Sequence, residues 1–200
     1  MKKSKILLAV VLCAALALMA KFALNQNEPQ SNATFSPTHT AVITVENYGA
    51  ITLALDGNIA PKTVENFVSL AESGFYDGLT FHRIIDGFMM QGGDPKANGT
   101  GGSGTKITGE FSKNGVANPL SHTRGAVSMA RAKDFNSASS QFFIVHKDQA
   151  RLDGQYAVFG YVTEGMEVVD KICADAKPTD NNGSIARDAQ PVIQSIVIQK

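Results

Sequence analysis

The dipeptide Asp86-Gly87 separates two short apolar segments, FHRII before it and FMMQGG after it, which are rich in β-branched and aromatic residues. It suits a two-residue hairpin turn, because both of its positions tolerate positive φ. The pattern therefore predicts two antiparallel strands joined by a tight turn. A hairpin fixes the pairing and register of its strands, so it limits what the rest of the chain can build around it.

One charged residue, Arg83, lies inside the first of these apolar segments without a carboxylate directly beside it. Removing an unpaired guanidinium from water costs several kcal/mol unless other groups accept its N–H donors. We therefore expect Arg83 to meet a ligand that supplies the missing partner.

The remaining pattern from Thr38 onward is mostly strand, with two helical interruptions. Apolar residues at helical spacing predict helices over residues 61–71 and 165–174. About eight short strands with a helix near each end predict a mainly β fold, an eight-stranded antiparallel closed barrel capped by two α-helices. Besides the hairpin, the strand candidates are residues 40–45, 51–55, 125–129, 141–145, 157–162 and 192–199.

The N-terminus carries three lysines ahead of an apolar run over residues 6–20, which is the layout of an export signal. The run spans about 15 residues, fewer than the ~20 of a typical membrane-spanning helix. Residues 1–24 are therefore expected to be either a signal peptide or an N-terminal membrane anchor, the anchor providing a tether through residues 6–24. Both outcomes stay open at this point.

A polar segment follows, in which residues 25–37 contain two prolines and no apolar period, so we expect a flexible linker there. That leaves residues 38–200 as one folded domain. The export signal predicts an extracytoplasmic protein, whether periplasmic, anchored facing outward or secreted.

Net charge limits the expected binding partners, and the number of cysteines limits the expected disulfides. Residues 1–21 hold four of the 18 basic residues and no acidic one, which leaves 14 basic against 18 acidic residues, a net charge of about −4. Nucleic-acid binding is not expected, because a basic surface is missing. One cysteine, Cys173, remains after that segment, so no intramolecular disulfide can form and stability must come from the core.

Motifs for several other chemistries fail on their context. Residues 99–104 match a GxGxxG pattern, but no apolar strand precedes them and no helical pattern follows, so we expect a surface loop. The four histidines show no metal-ligand spacing, and no metal is predicted. No GxSxG motif surrounds a serine, which weakens a hydrolytic function without excluding it, since triads also assemble from distant residues.

Four segments carry a family resemblance. The run FHRIIDGFMMQGGDP, followed in order by GAVSMAR, SSQFFIV and LDGQYAVFGYV, resembles the cyclophilin family of peptidyl-prolyl cis/trans isomerases, over about Thr38 to Lys200. The closest similarity is to a bacterial exported member. The resemblance implies the capped eight-stranded barrel described above, and a reaction that needs no cofactor, metal or covalent intermediate.

The resemblance also implies roles for individual residues. Arg83 would be the catalytic group, donating to the prolyl nitrogen as the X-Pro bond twists, with Gln91 beside it. Arg151 stands where many members have a tryptophan that contacts the inhibitor cyclosporin, so weak inhibition is expected. The substrate-binding residues would be Phe88, Met89, Phe143 and Leu152 for the proline ring, Gln91 and Ala130 for the peptide backbone, and Tyr156 at the rim.

The expected partners are proline-containing polypeptides, either unfolded or newly exported, and the protein is expected to be a monomer that assists their folding. Two alternative functions place different requirements on the sequence. A docking module would bind proline-containing segments without catalysis, but the presence of both Arg83 and Gln91 favours an isomerase. An exported hydrolase would need a pair of nucleophile and base, which the sequence does not display.

Overall fold

The β-structure predicted from the sequence forms one sheet in the computed structural model, which describes residues 34–199. All eight strands pair antiparallel, in the order β3-β4-β6-β5-β7-β2-β1-β8. The predicted signal or anchor at residues 1–24 lies outside the described residues. The strands are β1 (His39–Val45), β2 (Gly49–Leu55), β3 (Phe81–Ile85), β4 (Met89–Gly92), β5 (Ala126–Met129), β6 (Phe142–Val145), β7 (Val158–Glu164) and β8 (Ile193–Gln199).

The predicted closure of the barrel is wrong, because the sheet is an open half-barrel with β3 and β8 as its edges. A single antiparallel bridge, between Thr80 and Val192, joins the two edges at one end. Further along β3 the edge is taken by a loop: Ile84 N donates to Gly183 O at 2.8 Å, and Ile185 N donates to His82 O at 3.0 Å. Since these backbone groups of β3 are already paired, β8 cannot continue a ladder along it.

Both predicted helices are present, as α1 (Pro61–Glu72) and α2 (Met166–Asp175). Helix α1 begins with proline in its first turn, where a missing N–H does no harm, and it buries Val64, Phe67 and Ala71. Helix α2 buries Cys173, and this burial raises the pKa of the thiol to about 12, so the cysteine is an unreactive core residue. Within residues 34–199, no helix is long and apolar enough to cross a membrane.

Alternate residues of the central strands pack into two different clusters, as the two-residue period of a strand requires. Phe142 and Ile144 of β6 face the main core, in which Phe142 meets the ring of Phe67 edge-on with centroids 5.4 Å apart. Phe143 and Val145 face the opposite side of the sheet and form a second apolar cluster there. A small apolar surface is thereby built on the outer face of the sheet.

The second cluster extends to the segment that precedes β1. Phe35, within the stretch predicted to be a flexible linker, packs edge-on against Tyr161 with ring centroids 5.0 Å apart. Ser36 N donates to the Asp56 carboxylate at 2.6 Å. The packed part of the molecule therefore includes residues upstream of Thr38.

Candidate active site

The β3–β4 hairpin forms as the sequence predicts, but its turn is longer. Ile85 pairs with Met89, which leaves three residues in the loop, and only Gly87 among them has positive φ, at 73°. Asp86 thus takes an ordinary conformation, and the two-residue turn expected from its tolerance of positive φ is wrong. The longer turn puts Phe88 outside both strands. The alternation of side chains along a strand therefore does not fix the direction of its ring.

Strand pairing sets four side chains in a row across the outer face of the sheet. Arg83 on β3 is opposite Gln91 on β4, Gln91 is opposite Phe143 on β6, and Phe143 is opposite Ser128 on β5. Directly opposite residues project from the same face of a sheet. The cation and the amide of one hairpin therefore become neighbours of an aromatic ring that lies about 50 residues further along the chain.

A cavity of about 160 Å³ opens beside this row. It is smaller than the ~300–1,000 Å³ of sites for drug-sized ligands, and it suits one small ring. All eight residues singled out from the sequence line it, and their individual roles stay predictions. The lining consists of those eight, Arg83, Phe88, Met89, Gln91, Ala130, Phe143, Leu152 and Tyr156, together with Arg131, which sequence reasoning missed although it ends the GAVSMAR motif.

Neutral acceptors surround the half-buried Arg83. Its Nε donates to the backbone oxygen of Asn182 at 2.7 Å, and its Nη1 donates to Gln91 Oε1 at 3.3 Å. Arg83 forms no salt bridge within residues 34–199, and Nη2 has no hydrogen-bond partner there. Burial lowers the pKa of Arg83, but a guanidinium starts so high that it stays charged. The cation thus keeps N–H donors available at the cavity.

A chain of amides orients Gln91. Gln91 Nε2 donates to Gln141 Oε1 at 2.8 Å, and Gln141 Nε2 donates to Gly101 O at 2.8 Å. With its nitrogen committed to Gln141, Gln91 must turn its oxygen toward Arg83. Arg83 is therefore held from two sides, by the amide chain and by Asn182.

The carbonyl of Asn182 is itself fixed by a tight turn. The Asp180 carboxylate accepts hydrogen bonds from Asn182 N at 2.9 Å, Ser184 N at 3.0 Å and Ser184 Oγ at 2.9 Å. These bonds, first of all those from Ser184, lower the pKa of Asp180. Gly183 has φ of 87°, and a side chain there would collide with Ile85. The turn therefore holds the Asn182 carbonyl in place against Arg83.

We expect Asp180→Ala to lower kcat about 10-fold, an effect of ~1.4 kcal/mol on the barrier, because Arg83 loses its fixed anchor. Asp180 does not touch the cavity, so KM should change little. Asp180→Asn, which retains one acceptor oxygen, should recover part of the loss. Single-turnover and steady-state kinetics on a proline tetrapeptide measure both parameters.

Asp134 offers a matched control, since its carboxylate accepts from Asn136 N at 2.9 Å in another exposed turn without any contact to Arg83. Asp134→Ala should leave kcat unchanged. Equal kcat values for Asp180→Ala and the unmodified protein would show that the turn does not position Arg83.

The buried His122 packs against Phe143, one of the residues that line the cavity. His122 stacks on Phe143 with ring centroids 5.9 Å apart and planes 12° from parallel. Its Nδ1 lies 2.8 Å from Asp153 Oδ1, and its Nε2 lies 3.0 Å from Ser128 Oγ. This is a serine, histidine and aspartate in a hydrogen-bonded series, but Ser128 is 0% exposed, so no substrate carbonyl can reach its hydroxyl. The arrangement fixes Phe143 and does not support the hydrolase alternative.

Stability should decrease as the pH falls below ~6.5, the ordinary pKa of histidine. Burial lowers the pKa of His122, and also that of His82, whose two ring nitrogens have no hydrogen-bond partner among the described residues. The unfolded chain therefore binds more protons than the folded one as the pH drops through this range, which favours unfolding; above pH ~6.5 the full stability is present.

Urea unfolding at pH 7 and pH 5 checks this expectation. The exposed His39 provides a control, because His39→Gln should leave the pH dependence intact, whereas His82→Gln should reduce it. If the urea midpoint were the same at both pH values, the inference that His122 and His82 are neutral in the folded protein would be contradicted.

A second, larger cavity of about 460 Å³ adjoins the first and shares Gln91, Ala130 and Arg131 with it. Residues 99–102 and Gly104 line it, and no α-helix directly follows them, in line with the rejection of a nucleotide-binding loop. The buried Asp94 carboxylate accepts from the backbone N of Gly99 at 2.6 Å and so orders the start of this loop.

Comparison with known proteins identifies the family of the chain. The family model for cyclophilin type peptidyl-prolyl cis-trans isomerases matches residues 40–200. The chain is 48% identical over 136 residues to the peptidyl-prolyl cis-trans isomerase of Helicobacter pylori, covering 66% of this chain and 80% of that protein. It is 50% identical over 129 residues to peptidyl-prolyl cis-trans isomerase B of Bacillus subtilis, covering 64% and 86%.

A solved structure has the same fold. It is a cyclophilin type peptidyl-prolyl cis-trans isomerase of Cryptosporidium parvum, crystallised in the presence of the dipeptide Ala-Pro. The TM-score is 0.71 at 32% sequence identity, and the match covers 80% of this chain and 99% of that one.

The open half-barrel fold and the matches together identify an isomerase of X-Pro peptide bonds. The chain belongs to the cyclophilin-type peptidyl-prolyl cis-trans isomerase family. Its relatives also include proteins of a plant and a fungus, Arabidopsis thaliana and Neurospora crassa, so the matches identify the enzyme and not its compartment.

Proposed function

We propose that the protein is an extracytoplasmic isomerase that accelerates X-Pro rotation in newly exported polypeptides, with Arg83 as its catalytic group. The observation that carries the catalytic assignment is the half-buried guanidinium, held by neutral acceptors at the mouth of an apolar slot. The N-terminal lysines ahead of an apolar run support the extracytoplasmic location.

Rotation about an X-Pro bond is slow because the C–N bond has partial double-bond character, with a barrier of about 18–20 kcal/mol. As the bond twists, conjugation with the carbonyl is lost and the lone pair of the prolyl nitrogen becomes localised, so the nitrogen can accept a hydrogen bond. A free N–H of Arg83 directed at that nitrogen stabilises the twisted state and gains nothing from the planar one. Such differential stabilisation is what lowers a barrier.

The slot would hold the ring still while the preceding carbonyl moves. Met89 is 1% exposed and Phe143 is 5% exposed, so both walls are rigid parts of the sheet. The second N–H of Gln91 Nε2 is left for a substrate carbonyl, since the first goes to Gln141. Ala130 N donates to Gln141 O at 3.0 Å, which leaves its carbonyl for a substrate N–H. Backbone contacts thus fix one side of the bond.

The lining also agrees with a reaction that moves no proton. No carboxylate, imidazole or thiol is among the residues that line the slot. Of the groups that general acid–base or nucleophilic catalysis uses, the described lining offers only the Tyr156 hydroxyl. A rotation needs only the ring held and the twisted amide stabilised, and the slot provides groups for both.

Cell fractionation tests the location. A chain with a C-terminal epitope should be found outside the cytoplasm, either soluble with a shortened N-terminus or in the membrane fraction with residues 6–24 retained as a tether. N-terminal sequencing of the mature protein distinguishes the two forms. Recovery in the cytoplasm with Met1 intact would contradict the proposed compartment, and sedimentation of the purified domain tests whether it is a monomer.

A refolding assay tests the assistance to folding. The isomerase should accelerate the slow, proline-limited refolding phase of an exported protein in proportion to its concentration, since that phase takes ~10–100 s without catalysis. A protein whose refolding has no proline-limited phase serves as the control. Acceleration of tetrapeptide isomerisation without any effect on the refolding phase would limit the enzyme to small peptides.

A further inference from the structure

A second arginine lies at the rim of the slot. The Cζ atom of the exposed Arg151 lies 4.8 Å from the centroid of the Phe88 ring, which lines the slot. Its Nε donates to Gln149 Oε1 at 3.1 Å, and its two terminal nitrogens have no hydrogen-bond partner among residues 34–199. The guanidinium therefore rests on the wall of the slot with its outer donors directed to solvent.

Phe88 carries a second cation, because the Cζ of Arg83 lies 5.8 Å from the same ring centroid. The two Cζ atoms are therefore at most about 11 Å apart, close to the Debye length of ~8–10 Å at ordinary ionic strength. Neither arginine forms a salt bridge within the described part of the chain. Two cations thus lie against one ring; the Asp180 carboxylate favours the charge of Arg83, whereas Arg151 has no carboxylate paired with it among the described residues.

The carboxylates closest to Arg151 in sequence are already committed. Asp153 accepts from His122 N at 2.7 Å and lies against the His122 ring, while Asp148 accepts from Arg124 N at 2.7 Å. Neither carboxylate forms a salt bridge with Arg151. An acidic group of the substrate would supply the partner that this side chain lacks among the described residues.

We propose that Arg151 determines specificity by pairing with an acidic side chain next to the proline of the substrate. The inference rests on the proposed function, in which the slot holds that proline. Phe88 and Leu152 line the slot but not the larger cavity, so Arg151 would act on the side of the proline away from that cavity. A planar guanidinium can hold a carboxylate with two parallel hydrogen bonds, and its contact with Phe88 reduces the conformational entropy lost on binding.

Matched peptides test this proposal. Tetrapeptides with Glu, Gln or Lys immediately before the proline form one series, and peptides with the same residues immediately after it form another. At low salt we expect kcat/KM for Glu to exceed that for Gln by about 3- to 5-fold in one series, in the range of an exposed ion pair, with Lys the poorest. High salt should reduce the ratio toward one.

Two variants assign the effect. Arg151→Gln should bring the Glu to Gln ratio to about one, and Arg151→Lys should retain part of it, because a point charge lacks the planar fork. Arg187→Gln removes an exposed arginine that does not line the slot and should leave the ratio as in the unmodified protein. Thermal unfolding of each variant confirms that it is folded.

Equal kcat/KM for Glu and Gln in both series would overturn the proposal, and so would a Glu preference that survives Arg151→Gln. Calorimetric titration of the same peptides measures the preference as an affinity ratio, independently of catalysis. Loss of isomerisation with the affinity ratio intact would therefore count against the proposed mechanism and not against Arg151, whereas an affinity ratio of one would refute the role of Arg151.

Discussion

Replacing Arg83 with alanine is expected to lower kcat/KM for X-Pro isomerisation by at least ~100-fold while the fold survives. Loss of one hydrogen-bond donor that acts only in the transition state typically costs ~2.7–4 kcal/mol. The side chain is only half-buried and its partners are a backbone carbonyl and an amide, so its removal leaves no buried charge behind. Isomerisation of a proline tetrapeptide, followed together with circular dichroism, measures both effects.

Arg83→Lys separates geometry from charge. Lysine keeps the positive charge but has no planar fork, so it cannot bond Asn182 and Gln91 while directing a further N–H at the substrate. We therefore expect poor recovery. Arg187→Ala, which changes an exposed arginine that does not line the slot, is the control for loss of charge. An Arg83→Ala protein that is folded and fully active would refute the mechanism.

The parts of this site that the sequence predicted are those set by local pattern. The hairpin itself follows from local pattern, because its two strands are adjacent in the chain, but the predicted two-residue turn would have put Met90 and not Gln91 opposite Arg83. The two-residue period of a strand puts Phe142 and Phe143 on opposite faces, but β6 consists of four apolar residues in a row, so its sequence does not show which face each one takes. Strand existence and helix faces could be predicted because both follow from local pattern.

The features that could not be predicted from the sequence depend on contacts between distant segments of the chain. Asn182 is 99 residues from Arg83 and acts through its backbone oxygen, so its residue type carries no signal. The open edge of the half-barrel has the same origin, since the loop at Gly183 occupies β3 in place of β8. Contacts between segments so far apart leave no periodic pattern of apolar residues in the sequence. The resemblance to the family supplied the cavity residues, but not the turn that anchors the arginine.

The three-residue turn is an instructive local error. Asp86-Gly87 is compatible with a two-residue loop, yet only Gly87 adopts positive φ. Register is set by the strands as well as by the turn, and here Ile85 pairs with Met89 so that both project on the slot side. A two-residue turn would change this register by one residue and turn Met89 to the other face. Packing of the second apolar cluster therefore outweighs the turn preference.

Phe143→Ala is expected to cost ~3 kcal/mol or more of unfolding free energy and to weaken binding of a proline peptide. The ring is 5% exposed, contacts His122 on one side and Tyr156 edge-on at 5.9 Å, and forms a wall of the slot. Its removal leaves a void next to a buried histidine and widens the space that would hold the substrate ring. Urea unfolding and calorimetric titration measure the two losses.

Its neighbour Phe142 allows the two losses to be separated. Phe142 is 0% exposed and faces the main core, where its ring lies 5.6 Å from that of Tyr76 and away from the slot. Phe142→Ala should therefore destabilise the protein by a similar amount, while the fraction that remains folded binds the peptide with unchanged affinity. Leucine at each position is the gentler pair of variants should the alanine proteins not fold. If both positions weakened binding equally, general loosening of the sheet would explain the result. A loss confined to Phe143 would instead identify this ring as the wall against which the proline packs, because the two residues differ only in the face of β6 from which they project.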